Sequence, residues 1–182
     1  MKLLEMKFSL NQYSKVAVIG AGPSGLSAAK HVLSQGVENL VVYEKSDDIG
    51  GIWRYTEQAS HSHATPMYQN LKINVPKECM GYIDMPLEGN RENSFVTHFE
   101  VQEYLHKYAE KFGLNDKIRL SSQVEKLTYA DPGWTITANN QTESFDYVII
   151  ANGHYTTPDF PECFSNGQFK GEIIHACSYR KG

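Results

Sequence analysis

No apolar run in this chain is long enough to span a bilayer, the first of several absences that narrow its class. Leu3, Leu4, Met6 and Phe8 near the start are interrupted by Glu5 and Lys7, so no signal-peptide core forms there. Cysteine is scarce. Cys79, Cys163 and Cys177 make no C-x-x-C pair and no metal-ligand spacing, which fits a reduced, cytoplasmic chain with buried or incidental thiols. Basic clusters are lacking too, and a formal net charge of −4 argues against a nucleic-acid surface. The H-x-H pair His61 and His63 lacks a convincing third ligand, so a solvated loop is expected there and no metal. What remains is a soluble globular chain of 182 residues, 41% hydrophobic and 21% charged, with room for a substantial core.

One stretch organises the rest. Val16 to Ile19 is a short apolar run of the kind a strand buried on both faces has. It runs into Gly20-x-Gly22-x-x-Gly25, after which Leu26, Ala29, Val32 and Leu33 recur at helical spacing up to a stop at Gly36. A second apolar run, Leu40 to Tyr43, ends on Glu44. Strand, glycine turn, helix, strand and acid in that order predict a dinucleotide site. Gly20 allows the tight turn, Gly22 lets a pyrophosphate approach the backbone, and Gly25 lets the helix pack close to the strand. The helix start offers N–H groups and a positive dipole end to phosphates. Glu44 stands where a carboxylate accepts from an adenosine ribose and repels a 2′-phosphate, so FAD or NAD is expected here rather than NADP.

Further along, Gly50 and Gly51 are expected to lie against a ligand, and Trp53 either covers a flat ring or packs on the domain. Met67 to Pro86 lacks a sustained period but is too rich in aromatic and apolar residues for disorder, so it reads as an ordered, irregular connection. Thr97-x-x-Glu100 is a capping box that opens a helix carrying Val101, Tyr104, Leu105, Tyr108 and Phe112, ended by Gly113. Short strands are expected at Lys117–Leu120, Val124–Tyr129, Trp134–Ala138 and Ser144–Ile150. The second and third of these form a hairpin outside the parallel sheet, in a small antiparallel meander over about 122–145. The last ends at Ala151-Asn152-Gly153, at the carboxyl edge where doubly wound sheets bind ligands.

These residues resemble the flavin-containing monooxygenase family over nearly the whole chain. The resemblance is carried by the glycine turn with Glu44, by Gly50-Gly51-x-Trp53-Arg54 and by Met67-Tyr68-x-Asn70-Leu71-x-x-Asn74. Pro76-Lys77-Glu78-x-Met80 and Ala151-Asn152-Gly153-His154-Tyr155 with Pro158 and Pro161 add to it. Phe169-x-Gly171-x-x-x-His175-x-x-x-Tyr179 is similar to the family fingerprint, and its terminal Tyr leans towards the N- and S-oxygenating branch.

The resemblance implies an α/β, Rossmann-like FAD-binding domain over 15–162. An N-terminal extension (1–14) precedes it, and a fingerprint linker (163–182) leads towards an NADPH domain that these residues do not include. It implies FAD contacts from Gly20, Gly22, Pro23, Ser24 and Gly25, from Glu44 and Lys45, and from Gly51, Ile52 and Trp53. Asn70, Leu71, Asn74, Val124, Ala151, Asn152 and Gly153 complete the expected cofactor contacts. By itself Asn74 reads as a turn residue; the family match makes it catalytic, with an amide able to bond flavin or nicotinamide. In such enzymes NADPH reduces FAD, O₂ adds at C4a, and the hydroperoxide oxygenates a soft amine or sulfide. His175 is expected to fix local backbone.

Asn152, where the family often has Thr, is one departure; the lack of a second glycine turn is another. The chain alone is therefore expected to bind FAD without NADPH turnover. A sheet missing its returning segment is expected to self-associate or take a partner chain. The alternative is a non-catalytic flavin- or nucleotide-binding module that acts through a partner. A disulfide-type flavin reductase is disfavoured by the missing C-x-x-C pair.

Overall fold

Alternation along the central strand decides the layering. In the computed structural model, which describes residues 10–57, 65–89, 92–155, 158–164 and 169–181, strand β1 (Lys15–Ile19) is buried on both faces. Val16 and Val18 enter a core shared with helices, whereas Ala17 and Ile19 enter a second core on the other side. The glycine turn follows, then helix α1 (Pro23–Ser34) and strand β2 (Asn39–Tyr43). β2 pairs parallel to β1 and divides its side chains in the same way: Leu40 and Val42 to the helices, Val41 and Tyr43 away from them. Gly36, at φ 81°, takes the left-handed turn that stops α1.

The connection over Met67 to Pro86 is irregular apart from a short helix, α2 (Lys77–Met80). It docks on the start of α3 (His98–Lys111): His98 N–H donates to Leu71 O, and Ile73 N–H donates to Val96 O. The expected capping box is formed in full between Thr97 and Glu100. The stripe of α3 buries Val101, Tyr104, Leu105 and Tyr108 against α1 and the sheet, so these aromatics are core. Lys117–Leu120 shortens to a two-residue strand, β3 (Ile118–Arg119), because Asn115–Lys117 form a 3₁₀ turn ahead of it.

The run Ser144–Ile150, expected as a single strand, is two. After β4 (Val124–Ala130) and β5 (Gly133–Ala138), β6 (Gln141–Phe145) closes a three-stranded antiparallel meander. β7 (Tyr147–Ile150) then joins the parallel sheet, whose order is β3-β2-β1-β7. The corner is Asp146. Its N–H donates to Lys15 O at 2.9 Å, and its carboxylate accepts from Lys15 N–H at 2.7 Å. Periodicity cannot see this switch, because Phe145, Asp146 and Tyr147 alternate apolar and polar just as one continuing strand does.

The meander covers the sheet face that the helices leave open, with Ile136, Ala138 and Phe145 packed on Ala17 and Tyr43. Glu143 of β6 clips the two sheets together. It accepts from the Tyr43 hydroxyl at 2.9 Å, pairs with Arg119, and lies 3.6 Å from Lys15 Nζ, reaching β2, β3 and β1 in turn. Among the described residues no helix is long and apolar enough to cross a membrane.

Candidate functional site

Close backbone approach builds the site at the carboxyl edge of β1. Gly20 sits at φ 104°, and a Cβ there would lie 2.4 Å from Ala151 O, so the end of β7 requires glycine at the turn. A Cβ on Gly25 would lie 1.8 Å from Gly20 O, which explains why α1 starts against the strand it follows. Gly22 is the N-cap of α1 and Pro23 its first residue; no side chain caps this end and no acid stands in the first turn. The amides of Ser24 and Gly25 are thus first-turn donors without intrahelical partners. Such an end favours an anion.

Glu44 faces this turn from the end of β2. It is buried; one carboxylate oxygen accepts from Ala21 N–H at 2.7 Å and the other from Ser46 N–H at 2.9 Å. Each oxygen keeps a lone pair for a further donor, such as a sugar hydroxyl. Lys45, beside it, is exposed.

The second glycine pair rests on the first turn. Gly50 N–H donates to Ala21 O at 3.0 Å, and a Cβ on Gly51 would lie 3.0 Å from Gly22 Cα. Gly51–Trp53 form a 3₁₀ turn, with Ile52 half-buried. Trp53 packs on the helix-side core, and it also lines an open cleft of about 420 Å³. That cleft, shared with Asp48, Arg54, Tyr55, Phe99 and Gln102, lies on the α3 side of the Gly50–Trp53 loop. The backbone geometry of the glycine turn, rather than the cleft, defines where phosphates fit.

The remaining residues are placed less uniformly. Ala151 N–H donates to Ile19 O at 2.9 Å, and Ala151 and Asn152 border the glycine turn directly. Gly153, at φ 72°, is exposed just beyond them. Leu71 is tied to α3, whereas Asn70 and Asn74 are exposed on the same connection. No hydrogen bond joins either asparagine to the glycine turn among the described residues. Val124 lies in the meander and packs in the second core. His61 and His63 fall outside the described residues, and no group of three or more metal-ligating side chains occurs among those described. His175 fixes local backbone: its Nδ1 accepts from Cys177 N–H at 3.2 Å.

Two contributors escape a reading of the sequence. Gln102 Nε2 donates to Ile49 O at 2.6 Å and so holds the second glycine pair from α3. A Cβ on Gly50 would lie 2.0 Å from Gln102 Oε1. Tyr82 donates its hydroxyl to Pro23 O at 2.5 Å, tying the long connection to the first turn of α1; burial raises its phenol above the ordinary range.

The fold and glycine turn define a Rossmann-like nucleotide-binding α/β protein with a meander on its second face. The profile of the flavin-binding monooxygenase-like family matches residues 13–182, and the chain belongs to that family. It is 32% identical to flavin-containing monooxygenase FMO GS-OX5 of Arabidopsis thaliana, over 91% of this chain and 40% of that protein. It is 37% identical to the N-oxide-forming dimethylaniline monooxygenase 4 of Rattus norvegicus, over 91% of this chain and 31% of that protein. Among solved structures, the S-allyl-L-cysteine S-oxygenase of Allium sativum superposes with a TM-score of 0.79 at 29% identity, covering 92% of this chain and 42% of that one. Tmm from Pelagibacter sp. strain HTCC7211 gives 0.76 at 30% identity with the same coverage. The chain thus spans well under half the length of these relatives.

Proposed function

We propose that this chain is the FAD-binding part of an NADPH-dependent flavin monooxygenase that oxygenates soft nucleophilic nitrogen or sulfur atoms. The observation that carries the reading is the meeting of Glu44 with the uncapped glycine turn. An FAD fits this donor set. Open amides and a positive helix end suit a pyrophosphate, and a buried carboxylate with spare lone pairs suits a ribose. Gly20, Gly22, Pro23, Ser24 and Gly25 would hold the phosphates, with Glu44 and Lys45 at the adenosine end. Gly51, Ile52, Trp53, Asn70, Leu71 and Asn74 would serve the flavin end, and Val124, Ala151, Asn152 and Gly153 would border it.

When bound, flavin supplies the electrons that activate O₂ for transfer of one oxygen atom to the substrate. The protein's part is to orient the cofactor and keep water from it. Asn74 presents an amide able to bond flavin or nicotinamide. Relatives named for sulfur and for nitrogen oxygenation support an amine or sulfide as substrate. Free cysteines, with Cys79 and Cys163 exposed, support a reducing cytoplasmic setting.

With a single glycine turn in 182 residues, NADPH turnover needs a nicotinamide site from outside them. Exposed Ile150, Phe160, Phe169, Ile173 and Ile174 support a covering segment or chain. The test is an absorbance spectrum of the purified protein, followed by NADPH and air. Flavin bands without sustained NADPH oxidation are expected. Failure to retain or take up FAD refutes the assignment, and steady NADPH oxidation refutes the requirement for a second site.

A further inference from the structure

A charged side chain near the end of the described chain is buried with half of its hydrogen-bonding edge unused. Arg180 is only 9% exposed. Its Nη1 donates to three carbonyls: Thr65 O at 3.3 Å, Met67 O at 3.2 Å and Tyr179 O at 2.9 Å. Its own carbonyl accepts from Gln69 N–H at 2.7 Å, and the rings of Tyr68 and Tyr179 meet edge to face at 5.3 Å. The side chain is therefore fixed in place by the 65–69 segment. Its Nε and Nη2, both buried, have no partner among the described residues.

These two atoms form one edge of the guanidinium, with parallel N–H groups spaced to match two oxygens of a carboxylate or phosphate. An arginine cannot shed its charge in a protein, and a buried charge met only by carbonyl dipoles is costly unless an anion joins it. A residue serving only to anchor the 65–69 segment would need Nη1 alone.

We propose that the Nε–Nη2 edge of Arg180 is a binding site for an oxyanion that presents two oxygens, a carboxylate or a phosphate. It is separate in its donors from the glycine turn, and it does not depend on the flavin assignment.

The test is an NMR titration of the 182-residue chain with sodium acetate in one arm and sodium phosphate in the other, at constant ionic strength. The backbone amides of Gln69 and Arg180 and the Arg180 Nε–H signal are followed. A saturable shift in either arm supports the site, and the arm that saturates names the oxyanion. Arg180→Lys keeps the charge but loses the edge, so binding should weaken roughly tenfold or more; Arg180→Gln should abolish it. No saturable shift in either arm overturns the proposal, as does an equal shift in wild type and Arg180→Gln. The wild-type titration decides alone if a variant fails to fold.

Discussion

Replacing Glu44 with Gln perturbs the site without changing its shape. The carboxylate accepts from Ala21 N–H at 2.7 Å and Ser46 N–H at 2.9 Å while only 6% exposed. Glutamine keeps one acceptor and turns the other into an NH₂ facing a backbone N–H. One charge-assisted bond, about 1.5–3 kcal/mol, is lost, and a buried donor is left unpaired, so destabilisation is on the order of 2–4 kcal/mol. With a urea slope of about 2 kcal/mol per molar, the unfolding midpoint falls by roughly 1–2 M. Fluorescence of the two tryptophans follows the transition. A FAD titration gives the second readout: loss of a charged acceptor for the ribose weakens binding by roughly 10–100-fold. An unchanged midpoint together with unchanged FAD affinity would refute the idea that Glu44 holds both the turn and the nucleotide.

Other perturbations probe separate joints of the fold. Gly25→Ala places a methyl 1.8 Å from Gly20 O; overpacking of about 1–3 kcal/mol or more is expected, with loss of FAD binding, and a variant that unfolds and binds like wild type contradicts the close-approach argument. Thr97→Ala removes half of the capping box and should cost about 1 kcal/mol in urea unfolding, with m unchanged. The Arg119 hydrogen bond holds the Glu143 carboxyl below the usual range. Its stabilisation is then fully present above the ordinary glutamate pKa and is lost as pH falls through the lower folded value. Glu143→Gln should flatten the acid limb of the stability–pH curve, and an unaltered limb would count against the clip. Tyr43, pushed up to about 12 chiefly by burial and then by its bond to Glu143, should stay un-ionised through mild alkali in a spectrophotometric titration.

Residues set by near neighbours or by a recurring order of elements were legible in the sequence. The stop at Gly36 and the Thr97–Glu100 box depend on contacts a few residues apart, whereas the glycine turn and Glu44, whose contacts reach Ala151 and Ala21, were legible through the order strand, turn, helix, strand and acid. The split at Asp146 was not legible, because the alternation of Phe145, Asp146 and Tyr147 suits one continuing strand and only pairing to Lys15 marks the change of sheet. Gln102 and Arg180 were missed for a related reason. Each acts on a segment 50 or more positions away in sequence, and spacing carries no trace of that. Asn74 stands between: its segment is docked on α3, but its exposure gives no independent sign of a role.

The contact of Gly22 with Gly51 has a consequence for how such a protein can change. Chain segments nearly thirty residues apart cross here with unequal tolerance: a Cβ on Gly22 would make ordinary contact with Gly51 Cα at 3.5 Å, whereas one on Gly51, at φ 59°, would press on Gly22 Cα at 3.0 Å. The constraint therefore falls mainly on Gly51, whose left-handed backbone and close approach both favour glycine. A library that diversifies residue 51 should return mostly glycine, whereas at residue 22 the crossing itself sets no such limit.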